Sequence, residues 1–467
     1  MRCLTDAAAF ILVGLQLTRA APASIRGPSS LLGFSESNGV NNENTDDFNH
    51  PLADGQGTTN ANVGQFLDFS DIADPQPIRG TKGGTQPGSD NDILNKLYPD
   101  KVAPPGTDHG GTINAQWSLS KYPHHKLGLN RAGFSRQENT VVMPDATAFA
   151  GVQMRLEEGA YRELHWHVAS EWALMLNGSA RIQAINENGE AFLDDVSKGD
   201  VWFFPPGVPH SIQGLGGGTE FLLVFDDGEF SEDNTFLVSE IFAHNPKSVL
   251  SQNLGVPISA FDGIPPGELF IFPGTAAPSD IEKQNVTNSN GVIPKSATYS
   301  YHFSKQEPLD VAGGSVKIID PQSFPIADMV SAALVTVAPG AMREIHWHPT
   351  SDEWTFFLYG QGRATLFTAE DSANTFDFSS GDVGYFPQSN SHYVQNTGDV
   401  DLVLLEVLKA DHFSDIALGQ WIATTPPQIV EDTLNLSSAT VKALSKAKEK
   451  QYVIPSSGPV ANPIKSS

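Results

Sequence analysis

The sequence predicts an all-β protein that contains two copies of one domain. Short apolar runs such as A-G-V-Q-M-R-L (150–156) and E-F-L-L-V-F (220–225) follow one another closely, with Gly, Asn and Asp turns between them. Many short strands at this spacing are typical of a β-sandwich or β-barrel. A histidine-rich pattern then recurs: His165 to His346 is 181 residues, and His210 to His392 is 182. A repeat of that length is a duplicated domain, not a solenoid unit.

The first twenty residues have the form of a secretory signal peptide. Arg2 precedes an apolar stretch at Ala7–Leu17, and the small residue Ala20 follows it. The stretch is too short to span a membrane. We therefore expect a secreted protein, either extracellular or associated with the cell wall. The one cysteine of the chain, Cys3, lies in this segment, so the mature protein is expected to have neither a thiol nor a disulfide.

Composition divides the remainder of the chain. Polar residues, Gly and Pro dominate after the leader, without the periodicity of a folded domain. Helical patterns follow the last strand of each copy, and a final one at 437–450 begins with residues that favour a helix N-cap. We therefore predict a signal peptide at 1–20, a largely disordered arm at 21–111, a first β-domain at 112–285, a linker at 286–298 and a second β-domain with a C-terminal helix at 299–467.

The charge balance excludes two classes of partner. The chain has 28 basic and 54 acidic residues and a formal net charge of −26. Such a field repels nucleic acid and anionic membrane surfaces, so we expect neither as a partner.

Three N-x-S/T sequences are candidate glycan sites. Asn285 and Asn435 lie in polar surroundings and are plausible acceptors. Asn177 precedes Gly178 inside the repeated pattern, where we expect a tight turn.

Each copy contains the same four potential metal ligands. In a β-strand alternate side chains share a face, so the motif H-W-H places both imidazoles on one side and the tryptophan on the other. A glutamate follows the motif, and a lone histidine comes from a later strand. Four ligands at matched spacing in two halves predict two metal sites. The predicted ligands are His165, His167, Glu171 and His210 in the first half, and His346, His348, Glu353 and His392 in the second.

The ligand set favours a hard divalent metal. Three neutral imidazoles and one carboxylate leave two adjacent positions open on an octahedral ion, which suits Mn²⁺ or Fe²⁺ better than tetrahedral Zn²⁺. A small anion, dioxygen or both can bind at the open positions. The alternative is a barrel that keeps the motif for packing alone, but such a barrel usually loses ligands, and all eight are present.

An arginine stands three residues before the first ligand histidine of each half. At that spacing Arg162 and Arg343 lie on the opposite face of their strands unless the strand bends or bulges. Near the metal, either arginine could bind a carboxylate through two hydrogen bonds. The alternative is a surface ion pair with Glu163 or Glu344.

The two halves differ at two acidic positions. The first half has a three-residue insert, Glu232–Asn234, just after the strand that leaves the barrel. This insert is either a movable lid that carries an acid over the metal or a neutral surface loop. In the second half Glu406 occupies the position of Val224, and an acid in an apolar strand is costly unless it is paired or functional.

These phrases resemble a known family. R-E-L-H-W-H, L-L-V-F-D-D-G-E-F-S-E and K-A-D-H-F-S-D-I-A-L-G-Q-W closely resemble the bicupin oxalate decarboxylases of fungi and bacteria, over about residues 112–455. The resemblance implies two tandem cupin (jelly-roll-like) β-barrels with peripheral helices. It further implies conversion of oxalate to formate and CO₂, with a manganese ion in each barrel and dioxygen as a redox cofactor.

The resemblance also implies roles for individual residues. The N-terminal barrel would hold the main site, with Glu232 as the proton donor on the lid and Arg162 beside the substrate. Glu406 and Arg343 match the corresponding residues of the second site. The bacterial lid reads Ser-Glu-Asn-Ser, whereas this chain has an aspartate, Asp233, after the glutamate. The acid is kept, which favours decarboxylation, but the changed neighbours leave the extent of oxidase activity open.

Two other functions remain as alternatives. An oxalate oxidase would make CO₂ and hydrogen peroxide from the same complex, and a lid without a proton donor would favour it. A non-enzymatic bicupin for storage or binding would lack near-stoichiometric manganese. Two packed barrels with edge helices also make a homo-oligomer plausible.

Overall fold

The protein is described by a computed structural model. It describes residues 115–119, 126–285, 289–369, 371–446 and 449–456. All of them belong to one folded unit, Asn44–Ser467. The predicted signal peptide at 1–20 and the predicted arm at 21–111 lie outside the described residues, as does Cys3.

Strands make up most of the regular secondary structure of the described residues, so the prediction of an all-β fold is confirmed. Several strands before the linker are covered on both faces, since every residue is buried at Ala150–Leu156 and at Val201–Phe204. The strands before the linker are β1 (Gln116–Ser118), β2 (Lys126–Leu127), β3 (Gly133–Glu138), β4 (Ala150–Leu156), β5 (Tyr161–Trp166), β6 (Glu171–Ile185), β7 (Ala191–Ser197), β8 (Val201–Phe204), β9 (His210–Phe225), β10 (Phe236–Leu237) and β11 (Ile271–Phe272).

The second half repeats this arrangement with shorter strands. Its strands are β12 (Ser300–Tyr301), β13 (Leu309–Val311), β14 (Gly314–Ile319), β15 (Ser331–Val337), β16 (Met342–Trp347), β17 (Glu353–Tyr359), β18 (Gln361–Thr368), β19 (Ser372–Ser379), β20 (Asp382–Phe386), β21 (Ser391–Asn396), β22 (Leu402–Leu408), β23 (Ile416–Ala417) and β24 (Val453–Ile454).

Each half folds into an antiparallel barrel. In the first barrel the order of hydrogen-bonded neighbours is β12-β8-β6-β9-β4-β3-β2, while β5 pairs with β9, β10 and β11, and β7 pairs with β6. In the second barrel one sheet runs β1-β20-β17-β22-β15-β14-β13 and the other runs β19-β18-β21-β16-β23, with β24 beside β16. The motif strands β5 and β16 therefore hold equivalent places.

The two barrels exchange strands at their boundary. β1 lies in the range predicted for the first domain, but it pairs with β20 of the second half. β12 lies in the range predicted for the second domain, but it pairs with β8 of the first half. Sequence periodicity identifies a strand without naming its partner, so the predicted boundaries could not include this exchange.

A shared apolar core joins the barrels. It contains Trp172 and Val224 from the first half and Trp354 and Val407 from the second, all fully buried. The indole of Trp354 lies over Gly151, where a Cβ atom would be 2.6 Å from the ring atom Cζ2. Any larger residue at Gly151 would separate the barrels, since cores of this kind are close-packed.

Helices follow each barrel, as the sequence predicts. The C-terminal helix begins where expected, with the Ser437 side chain accepting a hydrogen bond from Thr440 N. It ends before position 450, because the following residues become β24 and pair with β16. None of the helices in the described ranges is long and apolar enough to cross a lipid bilayer. The helices are α1 (Val238–His244), α2 (Lys247–Leu254), α3 (Leu418–Thr424), α4 (Pro427–Leu434) and α5 (Ser438–Leu444).

One local prediction needs correction. The tight turn expected at Asn177 is absent, because β6 continues through this position and shifts register against β9 on either side of Gly178. Gly178 takes the positive φ of 69° that this bulge requires. Within the predicted linker, Ile293 packs on the core of the first barrel.

Candidate metal centres and the lid

The four predicted ligands of the first half meet inside the first barrel. His165 lies in β5 opposite His210, the first residue of β9. His167 follows β5, and Glu171 is the first residue of β6. All four side chains are buried, and their ligand atoms lie within 4.8 Å of one another. Strand alternation therefore brings the histidines together as predicted, with Trp166 turned away to stack on Phe236.

Backbone carbonyls fix the tautomers of the three histidines of the first centre. The Nδ1–H groups of His165, His167 and His210 donate to the carbonyls of Glu163, Ala169 and Val208, at 2.6, 2.6 and 2.8 Å. Each Nε2 then carries a lone pair that can bind a metal. The Nε2 atom of His210 is buried without a hydrogen-bond partner in the described structure. These residues therefore fit a divalent ion.

The Glu171 carboxylate completes this set. Its Oε1 accepts a hydrogen bond from Trp202 Nε1 at 2.8 Å, while Oε2 lies 3.1 Å from His167 Nε2 and 3.5 Å from His210 Nε2. Burial, assisted by nearby cations, holds the pKa of His165 well below its usual value. Burial opposes ionisation of Glu171, but His210 and His167 outweigh burial when they are protonated, and so lower the pKa of that carboxyl. Neutral imidazoles and a carboxylate are the forms that a metal requires.

The second half repeats the geometry. Here Glu353 Oε2 lies 2.7, 2.9 and 3.9 Å from the Nε2 atoms of His348, His392 and His346. The three Nδ1–H groups again donate to backbone carbonyls. Thr355 replaces the tryptophan as the donor to the other oxygen of Glu353. The extra residue of this half lies in the loop between His348 and β17.

A bulge directs Arg162 toward the first centre. The pairing of β5 with β9 shifts register between Arg162 and His165, and the pairing of β16 with β21 shifts at the equivalent place. The buried guanidinium of Arg162 donates from Nη2 to Glu232 Oε2 at 2.8 Å and lies 4.2 Å from the centre of the Phe270 ring. Its positive charge helps to lower the pKa of His165.

The surface ion pairs considered for these arginines are absent. Glu163 is buried and accepts hydrogen bonds from Ser239 and from the backbone N–H groups of Leu269 and Phe270. Glu344 accepts from the backbone N–H groups at 451 and 452 in the same way. Both acids hold the segment that precedes the last strand of their barrel. The sequence gives no signal for this role beyond their place beside the arginines.

The three-residue insert lies beside Arg162 of the first barrel. Glu232–Asn234 form one turn of 3-10 helix, capped by the Ser231 side chain. Glu232 points inward and is only 2% exposed, and its N–H donates to Gln137 Oε1 at 2.7 Å. We call residues 231–234 the lid; that this segment carries an acid over the metal ligands stays a prediction.

Arg343 is held by two buried acids. It donates from Nε and Nη2 to Glu406 at 3.0 and 3.2 Å, and from Nη2 to Asp415 at 2.5 Å. Lys450 donates to Asp415 as well. Burial raises the pKa of Glu406, whereas Arg343 outweighs burial at Asp415 and holds the pKa of that carboxyl below its usual value. Asp415 was not among the site residues predicted from the sequence. When the three-residue insert is left out of the alignment of the two halves, Asp415 is the counterpart of Thr235.

The counterpart of Glu406 is Leu223, not Val224 as predicted. Phe225 lies opposite Glu171 in the first barrel and Leu408 lies opposite Glu353 in the second, so the offset here is 183 residues. The second half gains one more residue before β22, which the predicted alignment did not include. A shift of one residue reverses the face of a strand. Glu406 therefore points into the second barrel, toward the metal ligands.

Comparisons with known proteins agree with this architecture. The cupin family model matches residues 137–259 and 301–442. The chain is 44% identical to oxalate decarboxylase OxdC of Bacillus subtilis (strain 168) over 374 residues, which cover 80% of this chain and 96% of that protein. It is 37% identical to a probable oxalate decarboxylase of Arthroderma benhamiae over 385 residues, which cover 81% of this chain and 93% of that protein.

Solved structures give the same result. Oxalate decarboxylase from Bacillus subtilis at pH 4.6 matches with a TM-score of 0.74 and 43% identity, over 82% of this chain and 98% of that chain. A structure concerned with the Mn(II) centres of the same bacterial enzyme matches with a TM-score of 0.74 and 42% identity, over 82% of this chain and 99% of that chain.

Proposed function

Since the chain belongs to the bicupin oxalate decarboxylases of the cupin family, we propose that it converts oxalate to formate and CO₂. One oxalate dianion and one proton give one formate and one CO₂. The observation that carries the proposal is the pair of complete His₃Glu groups, at equivalent places in two barrels of a chain so similar to named decarboxylases. The reaction is tested by incubating the purified, manganese-loaded protein with oxalate in air and quantifying formate and peroxide.

Manganese fits both ligand groups. Their imidazole and carboxylate donors, without a thiolate, suit a hard divalent ion. When bound, manganese with dioxygen as cofactor supplies the transient oxidation that weakens the carbon–carbon bond of oxalate. The protein residues bind the anion, hold it in place and deliver the proton.

We assign the main site to the first barrel because of the arginines. Arg162 is paired with one carboxylate, that of Glu232, which belongs to a three-residue lid. Arg343 is fixed between Glu406 and Asp415, and both acids belong to or adjoin strands of the second barrel. Displacing the lid can free Arg162 to bind a carboxylate of oxalate, whereas no comparable element frees Arg343. Anion binding beside the metal is therefore favoured at the first centre.

Glu232 is the proposed proton donor. Its carboxyl is buried beside Arg162, and both groups face the region of the ligands. After CO₂ leaves, the remaining one-carbon fragment needs a proton on carbon, and an acid held over the site can deliver it. Arg162 stabilises the negative charge of the same fragment.

Oxalate oxidation is the second candidate. One oxalate dianion, one dioxygen and two protons give two CO₂ and one hydrogen peroxide. The presence of an acid on the lid favours decarboxylation, so formate should exceed peroxide. Peroxide as the main product would favour the oxidase. A protein with neither product and no bound manganese would be a storage or binding bicupin.

We also propose that the protein is secreted and carries glycans. The proposal is supported by the leader pattern at 1–20 and by the exposure of Asn285 and Asn435. Asn435 ends α4 with a positive φ of 52°, at a loop open to solvent. Mass spectrometry of protein from the culture medium would test both points, since an intact leader and unmodified asparagines would contradict them.

A further inference from the structure

Lys126 joins the lid to the wall of the first barrel. Its Nζ lies 3.0 Å from Asp233 Oδ1 on the lid and 2.9 Å from Glu268 Oε2. The ammonium also lies 4.7 Å from the centre of the Phe270 ring. The lysine side chain is only 18% exposed, although both acids are about half exposed. One cation therefore bridges two separate segments.

The partner of Lys126 on the wall is held in place. Glu268 directly precedes the segment whose N–H groups at Leu269 and Phe270 donate to the buried Glu163 at 2.8 and 2.7 Å. The next residues form β11, which pairs with β5.

The lid is likewise followed by a strand, β10, that pairs with β5. The turn itself is anchored through Glu232, whose N–H donates to Gln137 and whose carboxylate accepts from Arg162. An anion that binds Arg162 competes with Glu232 and so loosens the lid, whereas the contacts of the wall with Glu163 are unaffected.

The second barrel uses a lysine in the same place. Phe270 and Tyr452 both precede the strand that pairs with the motif strand, and both have a φ of 56°. Lys450 lies 5.2 Å from the centre of the Tyr452 ring and donates to Asp415. This lysine comes from the C-terminal segment, whereas Lys126 comes from β2, so the two are not copies in the duplicated sequence.

The acid that each lysine binds differs between the halves. Asp415 directly precedes β23 and is buried against Arg343, so Lys450 reinforces a fixed pair. Asp233 belongs to the insert that the second half lacks, and it is exposed at the surface of the lid. In the first barrel the pairing of a lysine with an acid therefore holds the lid, which substrate must displace. The arginine, the lid acid and the metal ligands beneath are each almost completely buried.

We propose that Lys126 is a positioning residue that latches the lid closed over the first metal centre through Asp233. The latch sets how long Glu232 stays beside Arg162 during a turnover. While the lid is closed, the proton donor is in place and formate forms. If the lid opens before protonation, the fragment instead gives up its remaining electron and leaves as a second CO₂. The two electrons taken from oxalate, together with two protons, then reduce one dioxygen to hydrogen peroxide.

The environment of Lys126 keeps the latch charged. Burial lowers the pKa of the ammonium, but its hydrogen bonds to Glu268 and Asp233 outweigh burial and raise the pKa above its usual value. The ion pair is partly exposed, so its strength is modest and decreases with salt. A latch of modest strength suits a lid that must open in each turnover.

Hydrogen exchange of the lid tests the latch directly. In manganese-loaded protein without oxalate, Lys126→Met should speed amide exchange at 231–235 by about two- to five-fold. Exchange in the core strand β9 should not change, and Lys126→Arg should restore the rate of the unmodified protein. Asp233→Asn should act in the same direction, and the double variant should accelerate exchange by less than the product of the two single effects, because both changes break the contact between Lys126 and Asp233.

Two variants serve as matched controls. Lys247→Met removes another lysine ion pair of the first half, with Asp262 at 2.9 Å, and should leave lid exchange unchanged. Glu268→Gln removes the partner on the wall but keeps Asp233, so the lid should stay latched. Equal acceleration by Glu268→Gln would mean that the lysine acts through the wall, which would overturn the latch.

The product ratio gives the second readout, and it rests on the proposed function. With oxalate in air, Lys126→Met should raise the ratio of peroxide to formate by about two- to five-fold, with manganese content unchanged. If the rate of amide exchange at the lid is unchanged in Lys126→Met, the latch is rejected whatever the product ratio is. If Lys126→Met exchanges faster but the unmodified protein makes no formate, the proposed function is rejected and the latch is retained. Faster exchange with an unchanged ratio would overturn the link from lid to products.

Discussion

Arg162 and Glu232 form a buried ion pair at 2.8 Å, and the acid lies on a segment that the second barrel lacks. The equivalent arginine, Arg343, pairs with two acids of its own barrel at 2.5 and 3.0 Å. A buried charge needs a partner in both cases. The duplicated sites thus satisfy one requirement in two ways. The partner of the arginine lies on the three-residue insert in the first barrel, and its partners lie in or beside strands in the second.

The lid acid is expected to be essential for formate. Replacing Glu232 by Gln keeps the size of the side chain and removes the transferable proton, so formate production should fall about 100-fold or more. Glu406→Gln makes the same change at the second site and should have a much smaller effect. Formate and peroxide are measured together at equal manganese content. A Glu232→Gln variant that still makes formate at the normal rate would rule out this donor.

Loss of a ligand should separate the two centres. His165→Ala and His346→Ala should each remove about one of the two manganese ions, because each set loses one of its four donors. Only His165→Ala should abolish formate production. Both variants should unfold at a lower temperature than the unmodified protein, since a bound ion stabilises the folded state. Elemental analysis, product assay and thermal unfolding check the three points. Full formate production by His165→Ala would place the chemistry elsewhere.

Removing Arg343 should destabilise the protein strongly. Arg343→Met leaves the fully buried Glu406 without its partner, which costs about 3–5 kcal/mol in comparable buried pairs. Adding Glu406→Leu should recover part of the loss, because leucine is the residue at the equivalent position 223 and Asp415 keeps Lys450. Arg162→Met should cost less, since Glu232 can move into solvent with the lid. Equal losses in Arg162→Met and Arg343→Met, measured by denaturant unfolding, would contradict this account.

The metal ligands were predictable because local rules determine them. Alternation along a strand places His165 and His167 on one side, and the same spacing recurs in the second half, which supports the prediction. The bulge beside Arg162 depends on pairing with β9, a strand about fifty residues further on. From the sequence alone its side chain could be assigned to either face.

Other features depend on contacts between distant segments. Glu406 was aligned one residue away from its true counterpart, because a single added residue lies somewhere in the preceding hairpin. Asp415 lies outside the repeated motifs, and its burial results from its pairing with the distant Arg343. The pairing of β1 with β20 links residues more than 260 positions apart. Periodicity within a segment carries no information about such partners.

Exposed apolar residues on the helices predict that the protein self-associates. Trp421 in α3 is 54% exposed and Ile429 in α4 is 55% exposed. Large apolar side chains exposed on two consecutive helices favour cover by a partner, and a second copy is the partner that the homo-oligomer prediction implies. Light scattering should give a mass of more than one chain, and Trp421→Glu should lower it. Val141→Glu, at an exposed apolar residue of a surface turn, should not. A monomer at high concentration would refute the prediction.

A buried acid between the barrels should make stability depend on pH. Glu138 ends β3 opposite Gly151, is fully buried, and neither carboxyl oxygen has a hydrogen-bond partner within the described ranges. Burial and the nearby Asp382 raise its pKa well above the usual value. Folding therefore favours the protonated carboxyl of Glu138. The contribution of this group to the stability of the folded protein is complete below the unfolded pKa of about 4.3. As pH rises toward the folded pKa this stability is lost, because the unfolded state gives up its proton first.

Glu138→Gln removes this dependence and keeps the shape of the side chain. It should raise the unfolding temperature relative to the unmodified protein at pH 7, and the gain should shrink toward pH 4, where Glu138 is protonated in both states. Glu229→Gln, at an exposed acid of the same half, should show no such trend. Thermal unfolding of the three proteins across this range gives the comparison. A gain that is independent of pH, or a loss at pH 7, would mean that the Glu138 carboxylate is stabilised in the folded protein and that its raised pKa is wrong.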